Sequence, residues 1–334
     1  MSKNTYKSSI ISIAAGISIS VLILLVFSPQ PAAAALDFIS GTFTSSYYFG
    51  SFLNTAALLM FAGTGAAVAL KSGNLNLGGE GQIYAGGFTA AILLRSASCS
   101  AAMLIPAFIA AAAAGALQVL VSALLRKFKK ANILLTSFLI SAAIIPCIDS
   151  LIAGSFRSQT GNLLATAFIS PNVRFLQILR PSPLNVSFFA APAVCILCYF
   201  IIFKTNAGRK LQIWGTAPEF ARCCGYSETK ALFFPLIFSG VMNGLTGAAA
   251  VCGTYYTCHT GFYSGMGWNA LSCALIAQSN PLMLIPASLI LSWLYTSTGR
   301  VSLMQGLPFD ISSLIQGIIL FCISIHYISR RRRT

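Results

Sequence analysis

Six acidic residues, two histidines and ten cysteines are the main chemical endowment of a chain of 334 residues, and most of them stand alone. Cys195 and Cys198 have no nearby His, Asp or Glu, and no paired CxxC arrangement exists, so the thiols read as small core hydrophobes. His259 and His326 lack a Cys or Asp at ligand spacing, and no nucleophile sits with a base and an orienting acid. No catalytic residue, metal ligand or cofactor is expected. Glu80 is different. It lies in GNLNLGGEGQ, Gly73 to Gln82, a glycine-dense polar insert between two apolar runs. Glycine permits positive φ and close helix approach, while Asn74, Asn76, Glu80 and Gln82 offer hydrogen-bonding groups to a cavity or to free helix ends. No GK[ST] follows, which excludes a phosphate-binding loop. The insert is either a capped turn or a turn that also forms part of a pathway or gate.

The elements that must position it are membrane helices. Hydrophobic residues make up 56% of the chain and charged residues 8%, with a mean hydropathy of +0.80. That composition fits a polytopic membrane protein and no soluble domain. No polar block is long enough to fold alone, so residues 1–334 read as a single integral membrane domain, an all-α helical bundle. Apolar runs fall at 9–27, 51–70, 82–94, 101–125, 132–153, 186–203, 231–252, 267–278, 282–298 and 311–328. The runs 82–94 and 267–278 are short for a full crossing and follow glycine-rich inserts. They either both cross or both re-enter.

The formal charge of +15 is spread in short clusters beside apolar runs, which points to topology and away from nucleic acid. With the N-terminus inside, all but five of the 21 Lys and Arg residues fall on the cytoplasmic side, the five being Arg95, Arg157, Arg174, Arg180 and Arg300. This satisfies the positive-inside rule and makes Arg330 to Arg333 an orientation anchor. Lys3, Lys7, the run from Ile10 to Phe27 and the small residues Ala32 to Ala35 imitate a secretory signal, but the run is long enough to span, and a retained first helix is expected.

An internal echo accompanies the pattern. Thr64-Gly65-Ala66-Ala67 precedes the first insert, and Thr246-Gly247-Ala248-Ala249 precedes HTGFYSGMGWNA, each ahead of a short helix. The threading gives the two units opposite directions, the pattern of a 5+5 inverted repeat, with the first insert cytoplasmic and Gly265 to Asn269 at the opposite depth. The longest inside loop, Gly208 to Lys230, reads as a short helix opened by Pro218 and Glu219, continued by Ala221 and Arg222 and ended by Gly225. It is either a docking element or a solvated connector.

These motifs together resemble the permease subunits of ABC importers in the branched-chain amino acid, ribose and nucleoside class, closest to nucleoside and simple-sugar permeases. GNLNLGGEGQIYAGGFTAA, Gly73 to Ala91, is similar to the family's NIGxEGQ signature. GTAPEFARCCGYS, Gly215 to Ser227, is similar to its coupling loop, with the Glu-x-Ala-x-x-x-Gly spacing at Glu219, Ala221 and Gly225. GMGWNALSCALIAQSNP, Gly265 to Pro281, resembles its Gly-x-Gly-Trp segment. The resemblance covers about residues 50 to 300.

It implies a permease in the bacterial inner membrane with both termini cytoplasmic and no ATP site of its own. Implied partners are an ABC ATPase subunit, a second permease subunit in a homo- or heterodimer, an extracytoplasmic substrate-binding protein, the lipid bilayer and a small neutral solute, a nucleoside first, with flavin or simple sugar as alternatives. Coupling to the ATPase would fall to Pro218, Glu219, Ala221, Arg222, Gly225 and Tyr226. The pathway or gate would involve Asn74, Asn76, Glu80, Gln82, Trp268 and Asn269, with the first insert at the inner gate and Glu80 holding structure and not solute. One departure stands out: Ala131-Asn132-Ile133-Leu134 lacks the acid of the family's Asn-Glu-Val-Ile.

Trp268, Tyr255 and Tyr256 either stack on an entering ring or anchor at the interface. Asp149 is either functional or paired with Arg157. An ion-coupled secondary transporter is the rival reading, opposed by the scarcity of embedded acids, and a channel is a third.

Overall fold

The computed structural model describes residues 18–306 except 20, 23–25, 97–98, 160–161 and 264, together with 314, 317, 318 and 321. Its helices in chain order are α1 (Pro31–Thr44), α2 (Ser46–Lys71), α3 (Gly79–Leu94), α4 (Leu104–Lys129), α5 (Ile133–Ala153), α6 (Ser187–Lys204), α7 (Asn206–Thr216), α8 (Pro218–Cys223), α9 (Glu228–Ala250), α10 (Met266–Ile276) and α11 (Pro281–Met304). Every apolar run from 51–70 to 282–298 falls on one of these helices to within three residues at its ends. Six segments, Ser46–Lys71, Ala101–Lys129, Ile133–Ala153, Ser187–Lys204, Glu228–Tyr255 and Pro281–Met304, are long and apolar enough to cross a membrane. The runs 9–27 and 311–328 and the Arg330 to Arg333 tail lie, but for a few positions, outside the described residues.

Helix ends follow local chemistry. Asn132, which stands in the second place of Ala131-Asn132-Ile133-Leu134 where the resembled motif has its acid, accepts a hydrogen bond from the Leu134 N–H at 3.1 Å and so caps α5. Asn280 caps α11 the same way through Leu282 at 3.1 Å, with Pro281 at the first helical position. Two helices were not expected. Pro31 opens α1 over the small-residue stretch that imitates a cleavage site; Phe38 is buried there against Trp293, ring centroids 5.5 Å apart, and Asp37 meets Arg300 at 3.5 Å. Helix α7 occupies the start of the inside loop, capped by Thr205.

Small residues let α3, α4 and α9 touch backbone to backbone, which is how helices associate where lipid removes the hydrophobic incentive. A Cβ at Gly244 on α9 would lie 2.2 Å from the Ala111 carbonyl oxygen, and one at Gly247 2.0 Å from that of Ile83. Helix α9 is therefore central, whereas α5 buries few residues, among them Ser137 and Ser141, and leaves one side open. Past Ala250, α9 widens into a π-helical turn, Val251–Tyr255, and the Cys252 carbonyl accepts a hydrogen bond from the Phe175 N–H of the long loop after α5.

Candidate functional site

The insert begins as a helix terminus. Ending α2, Gly73 takes φ +79°, its N–H donates to the Leu70 carbonyl, and the Asn74 N–H donates to that of Ala69, the paired bonds of a Schellman turn. The Asn74 side chain donates to Ser72 Oγ at 2.9 Å and to the Ala231 carbonyl at 3.1 Å, tying the insert to the first turn of α9.

Deeper in, Asn76 and Gln82 form a reciprocal amide pair, Nδ2 to Oε1 at 2.9 Å and Nε2 to Oδ1 at 3.2 Å. Asn243 of α9 donates to the same Gln82 oxygen at 2.8 Å, and Asn76 also donates to Ser239 Oγ at 3.0 Å. Ser137 and Ser141 of α5 accept from the Leu77 and Gly81 N–H groups and Asn76 Oδ1 accepts from that of Gly78, so free backbone donors around the start of α3 are met by side chains from α5 and from the insert itself. Asn76 and Gln82 are buried, and their polar atoms are spent on this network.

Glu80 points the other way, toward α10. Its Oε1 accepts the Gly265 N–H at 2.8 Å, and Trp268 lies close enough to act on the carboxylate electrostatically. Gly79 and Gly267 touch, since a Cβ on Gly267 would sit 2.6 Å from the Glu80 nitrogen. This corrects the expectation that the two inserts lie at opposite depths. The N-termini of α3 and α10 converge on one carboxylate, and both positive helix ends favour it. Trp268 packs against Phe138 of α5 with centroids 6.3 Å apart, and Asn269 accepts the Tyr295 hydroxyl at 2.8 Å.

The inside loop folds as two helices with α8 outermost. Ala221 is buried with Trp214 and Ala231, which seats α8 on the bundle. Gly225 ends it at φ +70°, with its N–H donating to the Arg222 carbonyl and that of Tyr226 to Ala221. Arg222 bridges Glu219 at 3.0 Å and Glu228 at 3.2 Å, and the carboxylates raise its already high pKa. Glu219 and Pro218 remain exposed.

Three residues of this region escaped the sequence reading. Phe220 is 59% exposed on α8, although an aromatic beside Glu219 was a visible signal of an unpartnered contact. Glu228 holds Arg222. Gly215 lies against the insert, a Cβ on it falling 2.2 Å from the Lys71 carbonyl oxygen and 3.0 Å from the Gly73 nitrogen.

The remaining candidates belong to the far side. Asp149 accepts the Tyr84 hydroxyl at 2.5 Å and forms no ion pair with Arg157. Tyr255 packs on His259 and Phe262, while Tyr256 accepts from Gln177 at 3.1 Å and lies under Arg174, its ring 4.8 Å from the guanidinium. Both tyrosines are therefore held by the loops over the end of α9.

Comparison with known proteins agrees with this architecture. Over 96% of its length the chain is 32% identical to the "Probable riboflavin import permease protein RfuC" of Treponema pallidum (strain Nichols), of which it covers 85%. It is 26% identical over 98% of its length to the "Glucose ABC transporter permease protein TsgB13" of Haloferax volcanii, 89% of which is covered. The "Guanosine ABC transporter permease protein NupP" of Bacillus subtilis (strain 168) is 26% identical over 96% of this chain and 93% of its own. The family model described as "Branched-chain amino acid transport system / permease component" matches residues 48–324, and the chain belongs to that family.

Proposed function

We propose that this chain is the membrane-spanning permease of an ABC importer and moves a small neutral solute into the cytoplasm at the expense of ATP hydrolysed by a separate subunit. The observation that carries the reading is the seating of α8. It is an exposed short helix whose supporting turn presses on the Gly73 insert, in a chain of the permease family. Helix α8, through Pro218, Glu219, Phe220 and Arg222, docks the ATPase. Ala221, Gly225 and Tyr226 shape and seat it. The inner gate is the convergence of α3 and α10, where Glu80, Trp268 and Asn269 fix the two helix starts while Asn74, Asn76 and Gln82 hold the insert to α9.

The residues form one membrane domain with ten spans, both termini in the cytoplasm, in the bacterial inner membrane. The echo supports a repeated plan. Thr64 and Thr246 each donate to the carbonyl four residues back, at 2.6 and 2.7 Å, in helices that each lead through an insert to a short helix. The chain pairs with a second permease and receives solute from an extracytoplasmic binding protein. The solute combines a planar heterocycle with hydroxyl groups, as riboflavin and guanosine do, and the relatives' names support that class.

Reconstituting the chain with and without its ATPase and measuring riboflavin, guanosine and glucose uptake tests the reading. Uptake that needs the ATPase and ATP is expected. Accumulation by the lone chain without ATP would overturn it.

A further inference from the structure

Between the end of α6, the amphipathic α7 and the first turns of α9 lies a cavity of about 830 Å³, within the usual range of ligand pockets. Its walls along the spans are apolar, with Ile201 on α6 and Phe233, Phe234 and Phe238 on α9, and Phe234 is exposed. The rim is charged with one sign only. Lys210 and Lys230 line it, and no acid does. Trp214, 9% exposed, borders the same cavity with an Nε1–H that has no hydrogen-bond partner in the structure.

A buried donor without an acceptor costs free energy that a ligand oxygen would recover. A lipid carries a part to match each of these features. Lys210 and Lys230 line the cavity together with the aromatic and aliphatic residues of α6 and α9, and Trp214 brings a donor without a partner.

We propose that this groove binds one anionic glycerophospholipid, its phosphate between Lys210 and Lys230, a phosphate or ester oxygen on the Trp214 N–H, and an acyl chain along Phe233, Phe234 and Phe238. A zwitterionic lipid would offer the same chain and phosphate, but its choline carries a positive charge into a rim already occupied by two lysines. The groove lies beside α8, against Tyr226, whose ring is 5.2 Å from the Lys210 ammonium. Lipid there would brace the loop that seats α8. The proposal needs the chain to lie in a membrane and does not depend on transport.

The test is native mass spectrometry of the full chain in detergent, titrated with dioleoylphosphatidylglycerol or dioleoylphosphatidylcholine. One phosphatidylglycerol should bind at least about tenfold more tightly than phosphatidylcholine. Lys210→Ala with Lys230→Ala should weaken it by about fivefold per lysine, toward the phosphatidylcholine level. Trp214→Phe, which removes only the donor, should weaken it about tenfold. Both lysines are exposed, so that variant keeps its fold even if Trp214→Phe does not. Equal affinity for the two lipids would overturn the proposal. So would unchanged phosphatidylglycerol binding in the double lysine variant, or a groove found occupied by a second copy of the chain.

Discussion

The Glu80 carboxylate accepts the Gly265 N–H at 2.8 Å across 185 residues of sequence. One acid in the first turn of α3 thereby supplies the acceptor that the start of α10 lacks, and two helix starts are fixed to each other. The neighbouring glycines make this possible, because Gly79 and Gly267 meet with no side chain between them.

Glu80→Ala removes that acceptor from the Gly265 N–H. A loss of about 2–3 kcal/mol in stability is expected, with uptake abolished. Glu80→Gln keeps one carbonyl oxygen and should recover at least half of the stability. Thermal unfolding of the purified chain checks both, and an alanine variant that melts like wild type would refute the pinning role.

Gln82→Leu leaves the Asn76 and Asn243 amides facing an apolar side chain. The expected cost is about 2–3 kcal/mol. Combined with Asn243→Leu it should cost clearly less than the sum, since the second change removes a group the first has already orphaned. Simple additivity in a double-mutant cycle would show that the two residues do not share one network.

On α8, Glu219→Ala and Phe220→Ala alter exposed side chains and should leave insertion and melting temperature unchanged. ATPase co-purification and ATP-driven uptake should fall at least tenfold. Gly225→Pro should also uncouple, by breaking the turn that ends α8. Unchanged uptake in all three would remove α8 from the coupling role.

Gly215→Val and Gly225→Ala separate packing from backbone strain. A Cβ at Gly215 collides with the Lys71 carbonyl, so valine should detach α7 from the insert and cost more than about 2 kcal/mol. At Gly225 a Cβ meets nothing within 4 Å, and only its φ of +70° resists alanine, at about 1–2 kcal/mol. Equal melting shifts for the two would contradict the tight Gly215 contact.

Much of the helical plan was legible because membrane helices are written as long apolar runs, and run 132–153 differs from α5 by a single residue at its start. The turn at Gly225 was legible because glycine is the residue that takes a φ of +70° at least cost. Helix α1 was hidden by its brevity and by alanines that look like a cleavage site. Helix α7 was hidden because, in GRKLQIWGT, only Leu211 and Trp214 carry its buried face besides Gly208. The meeting of the two inserts was illegible for a different reason. Charge assigns the side on which a loop lies, but it says nothing about how far a short helix start penetrates, and that depth is what places Gly265 beside Glu80. Asp149 was misjudged because its partner, Tyr84, lies on another helix, while Arg157 was merely near in sequence.

The Gly73 and Gly215 contact leaves main chain resting on main chain. Side chains can change rotamer and soak up a displacement, but two peptide backbones in van der Waals contact cannot. If α8 takes the proposed coupling role, a thrust on it would reach the insert with its full stroke, like gear teeth meshed without backlash, and the timing of the proposed gate would follow the ATPase with no slack to take up.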